Sequence, residues 1–204
     1  MSHDGDPDIR TLTSSVIYAD SWMSLRRDEI ERRDGSRGTY AVVDKPDFAL
    51  VIPAEADRFC LVEEFRYPVG RRTWSFPQGG FPGRQTGDPE DLARLELAQE
   101  TGLRAARLTP LGYLHCAHGT SSQGFHAYLA TGLTQGEPDR ELSEQDMRQR
   151  WVTRAEFKDM ILNASILDDS TVAAYSLLLL HEERASPPGP AAVPLRRGGG
   201  PAPG

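Results

Sequence analysis

The chain has 204 residues, 38% of them hydrophobic, enough for one globular core with a small additional N-terminal unit. Its formal net charge of −7 argues against a reader of nucleic-acid backbones, whose footprint would be a basic face. No apolar run approaches the roughly 18 residues that span a bilayer, the opening Met1-Ser2-His3-Asp4-Gly5-Asp6 lacks the regions of a signal peptide, and two cysteines make no disulfide framework, so a cytoplasmic protein without membrane partners is expected.

Residues 1–14 are polar and read as a frayed N-terminus. Strands are expected at 15–19, 22–33 and 39–43, with Asp34-Gly35 as a tight turn, making 15–43 an N-terminal β segment. A second hairpin follows from 48–53 and 59–66 across 54–57. Trp74-Ser75-Phe76-Pro77-Gln78 reads as a short aromatic strand that the glycines at 79, 80, 83 and 87 cannot continue. Asp88 is an N-cap, Pro89 suits the first helical position, Glu90 and Asp91 suit the positive end of the dipole, and Gly102 closes the helix. Strands are expected at 108–114, 125–130 and 149–152, a capping box at Thr153 and Glu156 opens a helix, and a last helix runs from about 170 to 183. The final 19 residues hold six Pro and five Gly, so 185–204 reads as a disordered tail. Strands on both sides of a helix, then more helix, predict an α/β/α sandwich on a mixed sheet, with 44–184 as its main domain.

Glu96 and Glu100 stand one helical turn apart, with Cβ atoms roughly 5 to 6 Å from each other. Two like charges at that spacing repel unless a cation lies between them, and a hard divalent cation suits carboxylate oxygens; an acidic solvated face is the alternative. Gln99 can coordinate through its amide oxygen but brings no charge. His115-Cys116-Ala117-His118 suggests zinc, although a fourth donor would have to be found, and the loop 115–124 reads better as a border of a substrate pocket. Trp22 and Tyr40 either stack on a base or belong to the core.

The loop and helix resemble the signature of the Nudix hydrolases: Gly, five residues, Glu, seven residues, Arg-Glu, an aliphatic, one residue, Glu-Glu, one residue, Gly, an aliphatic. Glu96, Leu97, Glu100, Gly102 and Leu103 are in register. Gly87 and Gln99 stand where Glu is expected and Leu95 where Arg is expected, with Arg94 next door. Gly79 lies two residues too far from Glu96, which implies an insertion. The stretches Leu61-Val62-Glu63-Glu64-Phe65-Arg66 and Trp74-Ser75-Phe76-Pro77-Gln78-Gly79-Gly80 look like those before the box in the ADP-ribose and nucleoside-diphosphate-sugar pyrophosphatase branch. That branch also has an N-terminal β segment, an acidic loop, matched by Ser143-Glu144-Gln145-Asp146, and a closing helix, matched by Asp168-Asp169-Ser170-Thr171.

The resemblance covers roughly 15–183 and implies a Nudix fold. It also implies Mg²⁺, with Mn²⁺ as a substitute, and cleavage of a nucleoside diphosphate sugar, ADP-ribose to AMP and ribose 5-phosphate in the first place. It implies Glu96, Glu100, the carbonyl of Gln78 and the weaker donor Gln99 as metal ligands, Gln78 and Gly79 beside the substrate, and Arg66 as a diphosphate clamp, unless Arg66 serves an ion pair with Glu64 or Asp44. Glu144 would activate the water, with Glu141 and Asp146 as competitors. The same branch implies a homodimer whose segment 15–43 crosses to wall the partner's pocket. Another nucleotide sugar or a dinucleotide as substrate, and a non-catalytic binding domain, remain as alternatives.

Overall fold

The computed structural model describes residues 8–140 and 145–185. Ala185, expected as the first residue of the tail, is helical instead; residues 186–204, the residues before Asp8, and Glu141 and Glu144 lie outside the described residues. Three antiparallel strands, β1 (Ile9–Ala19), β2 (Ser24–Arg32) and β3 (Arg37–Asp44), form a separate sheet. β1 begins at Ile9, so residues 9–14 are strand and not frayed: β2 is long enough to pair Ile9 with Arg32 and Thr11 with Ile30. The side chains of β1 stay almost wholly exposed, so no apolar alternation marks it in the sequence. Trp22 leaves the expected strand and sits in the β1–β2 turn, where the Asp20 carboxylate accepts from the amides of Trp22 (2.7 Å) and Met23 (2.8 Å).

The second sheet has seven strands: β4 (Phe48–Glu55), β5 (Arg58–Arg66), β6 (Arg71–Ser75), β7 (Gln78–Gly79), β8 (Leu103–His115), β9 (Gly124–Gln135) and β10 (Arg148–Thr153). They run in the order β10-β5-β4-β9-β8, with β6 against β5 and β7 against β4. β4 and β9 are parallel and the other pairs antiparallel, as a mixed sheet requires. The expected aromatic strand at 74–78 is divided: it pairs with β5 up to Ser75 and with β4 from Gln78, turning at Pro77, which has no amide to give.

One face of this sheet packs on α1 (Pro89–Thr101) and the other on α2 (Arg154–Leu162) and α3 (Asp169–Ala185). β4 shows why. Its alternate residues Ala49 and Val51 meet Leu92, Ala93 and Leu97, while Leu50 and Ile52 meet Phe59, Phe76, Phe157 and Leu178. A strand buried on both faces is a continuous apolar run, and Ala49 through Pro53 are all buried. The architecture is the α/β/α sandwich that the sequence predicts. Among the described residues no helix is long and apolar enough to cross a membrane.

Local signals set the ends of α1. The Asp88 carboxylate accepts from the amides of Glu90 (2.7 Å) and Asp91 (3.4 Å), satisfying donors that the first turn leaves open. Gly102 ends the helix at φ 73°, and a Cβ there would lie 2.3 Å from the Gly136 carbonyl oxygen, so only glycine fits. On the other face, Thr153 and Glu156 form the expected reciprocal cap of α2.

Candidate active site

α1 lies under a cleft of about 540 Å³, with Glu96, Gln99 and Glu100 on its floor and Gln78, Gly79 and Gly80 on the adjoining strand and loop. Glu96 is 7% exposed and Glu100 3%, which rules out a solvated acidic face. Buried carboxylates one turn apart need positive charge or protons to be tolerated. β7 runs hard against the first of them: a Cβ on Gly79 would sit 2.4 Å from Glu96 Oε2, so glycine is what lets the strand pass the carboxylate. The side-chain oxygen of Gln78 is buried there without a hydrogen-bond partner.

These donors are all hard oxygens. Among the described residues no three His, Cys, Asp or Glu side chains converge as a complete metal cage. Two carboxylates supplemented by amide oxygens fit the smaller divalent ions, which keep waters and are bound through one or two carboxylates plus substrate phosphates. The residues present therefore suit a Mg²⁺-type ion shared with an anionic ligand.

Positive charge reaches the cleft from Arg66, at the end of β5, and from Lys45 before β4. Arg66 Nη2 lies 2.7 Å from Glu64 Oε1, and both side chains line the cleft, so the ion pair and the cleft position occur together. Asp44 is taken by Arg26 at 2.6 Å. Arg94 does not stand in for the guanidinium missing at position 95: it pairs with Glu90 (2.7 Å) and donates to the Ala105 carbonyl (3.0 Å), on another side of the helix. Arg140, which the sequence did not single out, donates instead to the Glu100 carbonyl (3.0 Å) and to that of Met147 (2.6 Å), tying the end of α1 to the segment before β10.

Asp146 is not a competitor for the water-activating role, because its carboxylate lies 2.5 Å from Arg72 Nη1 and does not line the cleft. Cys116 and Gln123 do line the cleft, as the reading of loop 115–124 expects. The Ser121 hydroxyl is engaged elsewhere, donating to the Val43 carbonyl (3.1 Å) and tying β3 to the loop. His115 packs edge-on against Tyr113. Burial raises the Cys116 thiol above its usual value, and the Ser170 hydroxyl lies 3.9 Å away.

Ser21 and Trp22 line the cleft of their own chain, so the N-terminal sheet reaches its own pocket. Trp22 is 65% exposed, which excludes the core alternative, and Tyr40 is not on the cleft wall. The sequence carries no site signal at Lys45, Phe48 and Phe81 and marks Asp168, Asp169 and Ser170 only as the start of the closing helix, yet all of them border the cleft. Asp168 could be read only as a helix cap, a role it also fills by accepting from the Thr171 amide at 2.8 Å. No local pattern shows that this cap faces α1 across the sheet.

A family model described as the NUDIX domain matches residues 44–175. The chain belongs to the Nudix family. A second model, described as the nucleoside diphosphate sugar hydrolase N-terminal domain, matches 9–43, the span of the three-stranded sheet. The chain is 25% identical over 175 residues to an ADP-ribose pyrophosphatase of Bacillus subtilis (strain 168), covering 85% of this chain and 94% of that protein. It is 26% identical over 175 residues, with the same coverage, to a methanol dehydrogenase activator of Bacillus methanolicus. Among solved structures, one titled as an ADP compounds hydrolase superposes with a TM-score of 0.77 at 18% identity, over 89% of this chain and 98% of that one. The protein is thus a Nudix hydrolase of the branch that carries this N-terminal sheet.

Proposed function

We propose that this Nudix hydrolase cleaves the pyrophosphate bond of a nucleoside diphosphate sugar in the cytoplasm, with ADP-ribose yielding AMP and ribose 5-phosphate as the first substrate to test. The observation that carries the reading is the buried pair Glu96 and Glu100 beside Gly79, in a cleft that also holds Arg66 and Lys45. Residues 44–184 act as the catalytic unit and 15–43 as its accessory. Glu96 and Glu100, with the Gln78 carbonyl and the neutral oxygen of Gln99, hold Mg²⁺ or, in its place, Mn²⁺. Bound there, the ion supplies charge neutralisation on the diphosphate oxygens.

Arg66 clamps the diphosphate through its planar fork of donors, exchanging its hold on Glu64 for phosphate oxygens. Gly79 and Gln78 keep the backbone close to the same oxygens. Water adds to one phosphorus, the bridging oxygen leaves with the other phosphate, and Glu144 takes the proton, with Glu141 as its competitor. Trp22 gives the base an exposed aromatic face. A homodimer is part of the reading, because Val16, Ile17 and Tyr18 on β1 are exposed in a strand that borders its sheet.

The test is a panel of nucleoside diphosphate sugars with Mg²⁺ and Mn²⁺, reading phosphate released after phosphatase treatment. Charge stabilisation by such an ion is worth several kcal/mol, so Glu100→Gln is expected to lower turnover by about a hundredfold or more with an unchanged melting curve. Full activity of that variant at low Mg²⁺ would sink the metal assignment.

A further inference from the structure

The departure from the Nudix pattern at position 87 has a structural counterpart. A Cβ on Gly87 would lie 2.7 Å from both Cε2 and Cζ of the Phe81 ring. The backbone of Gly87 is not in the left-handed region, so glycine is there for space and not for conformation. The Glu expected at this position could not coexist with the ring where it lies. Phe81 stands in the loop that the two-residue insertion lengthens, and it packs against the α1-side core.

The ring is also a partition. Phe81, Phe48 and Pro46 line the main cleft and, equally, a side cavity of about 170 Å³. The rest of that cavity has apolar walls at Pro89 and Leu92 and polar side chains at Gln85, Thr86 and His126. Asp47 lines it as well, but its two oxygens are engaged by the Gly124 amide (2.7 Å) and the Tyr113 hydroxyl (3.2 Å). Among the described side chains no Lys or Arg borders it. Apolar walls with hydroxyl, amide and imidazole groups and no fixed cation suit a neutral polyhydroxylated ring and not a phosphate.

Resting on the substrate reading above, we propose that the side cavity receives the sugar of the nucleoside diphosphate sugar and that Phe81, seated by Gly87, is the residue that sets its permitted size. Restoring a side chain at 87 pushes the ring out of its seat and narrows the way in. Removing the ring joins the two cavities and admits a larger sugar.

The experiment measures Kd for ADP and for the non-hydrolysable α,β-methylene analogue of ADP-ribose, together with kcat/KM for ADP-ribose and ADP-glucose. Wild type, Gly87→Ala, Phe81→Leu, Phe81→Ala and the double variant Gly87→Ala/Phe81→Ala are compared after a melting curve on each. Gly87→Ala is expected to weaken the analogue by about tenfold while ADP, which has no sugar to seat, changes less than about twofold. Phe81→Ala is expected to raise the preference for the hexose over the pentose, with Phe81→Leu in between. In the Phe81→Ala background Gly87→Ala should add nothing, because residues that act through one contact are not additive.

An equal loss for ADP and its sugar analogue in Gly87→Ala, or the same loss with and without the Phe81 ring, would overturn the proposal. A wild type that binds the analogue but turns over neither sugar would count against the substrate reading alone, and the Kd ratios would still decide the partition.

Discussion

The two sheets of this protein are made of the same kind of strand and held together in opposite ways. In the seven-stranded sheet β4 is covered by α1 on one face and by α2 and α3 on the other, and its neighbour Phe59 meets the rings of Phe76, Phe157 and Tyr175. In the three-stranded sheet Val16 (65% exposed) and Ile17 (59%) face outward, and cross-strand charges such as Arg10 with Glu31 and Arg26 with Asp44 occupy much of the surface. Exposed ion pairs contribute about 0 to 1 kcal/mol each, whereas a fully buried large apolar side chain contributes about 1.5 to 3 kcal/mol. The seven-stranded sheet is a platform that sets Gln78 and Gly79 beside Glu96. The three-stranded sheet is a carrier that presents the Trp22 turn to the cleft and leaves the side chains of β1 exposed.

The sharpest way to break this contrast is to remove one side chain from each sheet. Phe59→Ala should cost about 3 to 5 kcal/mol in urea unfolding, because its pocket is closed on all sides. Val16→Ala should stay within about 0.5 kcal/mol. Similar costs for the two would mean that β1 is buried in the working protein.

A smaller effect is expected where the platform meets the chemistry. Gly79→Ala places a methyl group against the Glu96 carboxylate, which must swing away. Turnover should fall about ten- to a hundredfold, the range seen when ligand-orienting neighbours are lost, with only a slight change in melting temperature. If activity survives, the carboxylate does its work from another position.

On the carrier sheet, Ile17→Asp should halve the mass seen by light scattering while leaving the unfolding midpoint of the remaining monomer nearly unchanged. A monomeric wild type with normal turnover would remove the dimer from the reading.

The smallest effect is a pH dependence of the platform. Burial pushes the Cys60 thiol up to about 12. An unfolded cysteine ionises near 8.5. The folded state keeps its proton over that interval, so this contribution to stability is complete below about pH 8.5 and is lost progressively as the pH rises toward 12. Urea midpoints at about pH 8 and about pH 10 should fall further in the wild type than in Cys60→Ala; equal slopes would show that Cys60 is not the group responsible.

The elements that could be read from the chain were those whose signals are local. Asp88, Pro89 and Gly102 bound α1 because capping and backbone handedness act within a few residues, and the Thr153 and Glu156 box opens α2 for the same reason. The acids at 96 and 100 could be paired from helical spacing alone. β1 starts earlier than its sequence indicates, because an exposed strand has no apolar period and only pairing with β2 reveals its start at Ile9. The segment 74–78 looked like one strand, yet Pro77 divides it between two neighbours.

The chain by itself determined the helix that carries Glu96 and Glu100, the run of β4 residues that must be buried on both faces, and the resemblance to the Nudix signature, since each depends on neighbours in sequence. Tertiary structure alone decided that those carboxylates are buried beside Gly79, that Arg66 meets Glu64 in the cleft, and that Arg94 turns away while Arg140 holds the end of α1. It also decided that Trp22 and the start of α3, nearly 150 residues apart in the chain, border one cavity. The physical reason is range: caps and periodicity are energies of adjacent residues, whereas a cleft exists only where the packing of two sheet faces brings distant loops to a common edge.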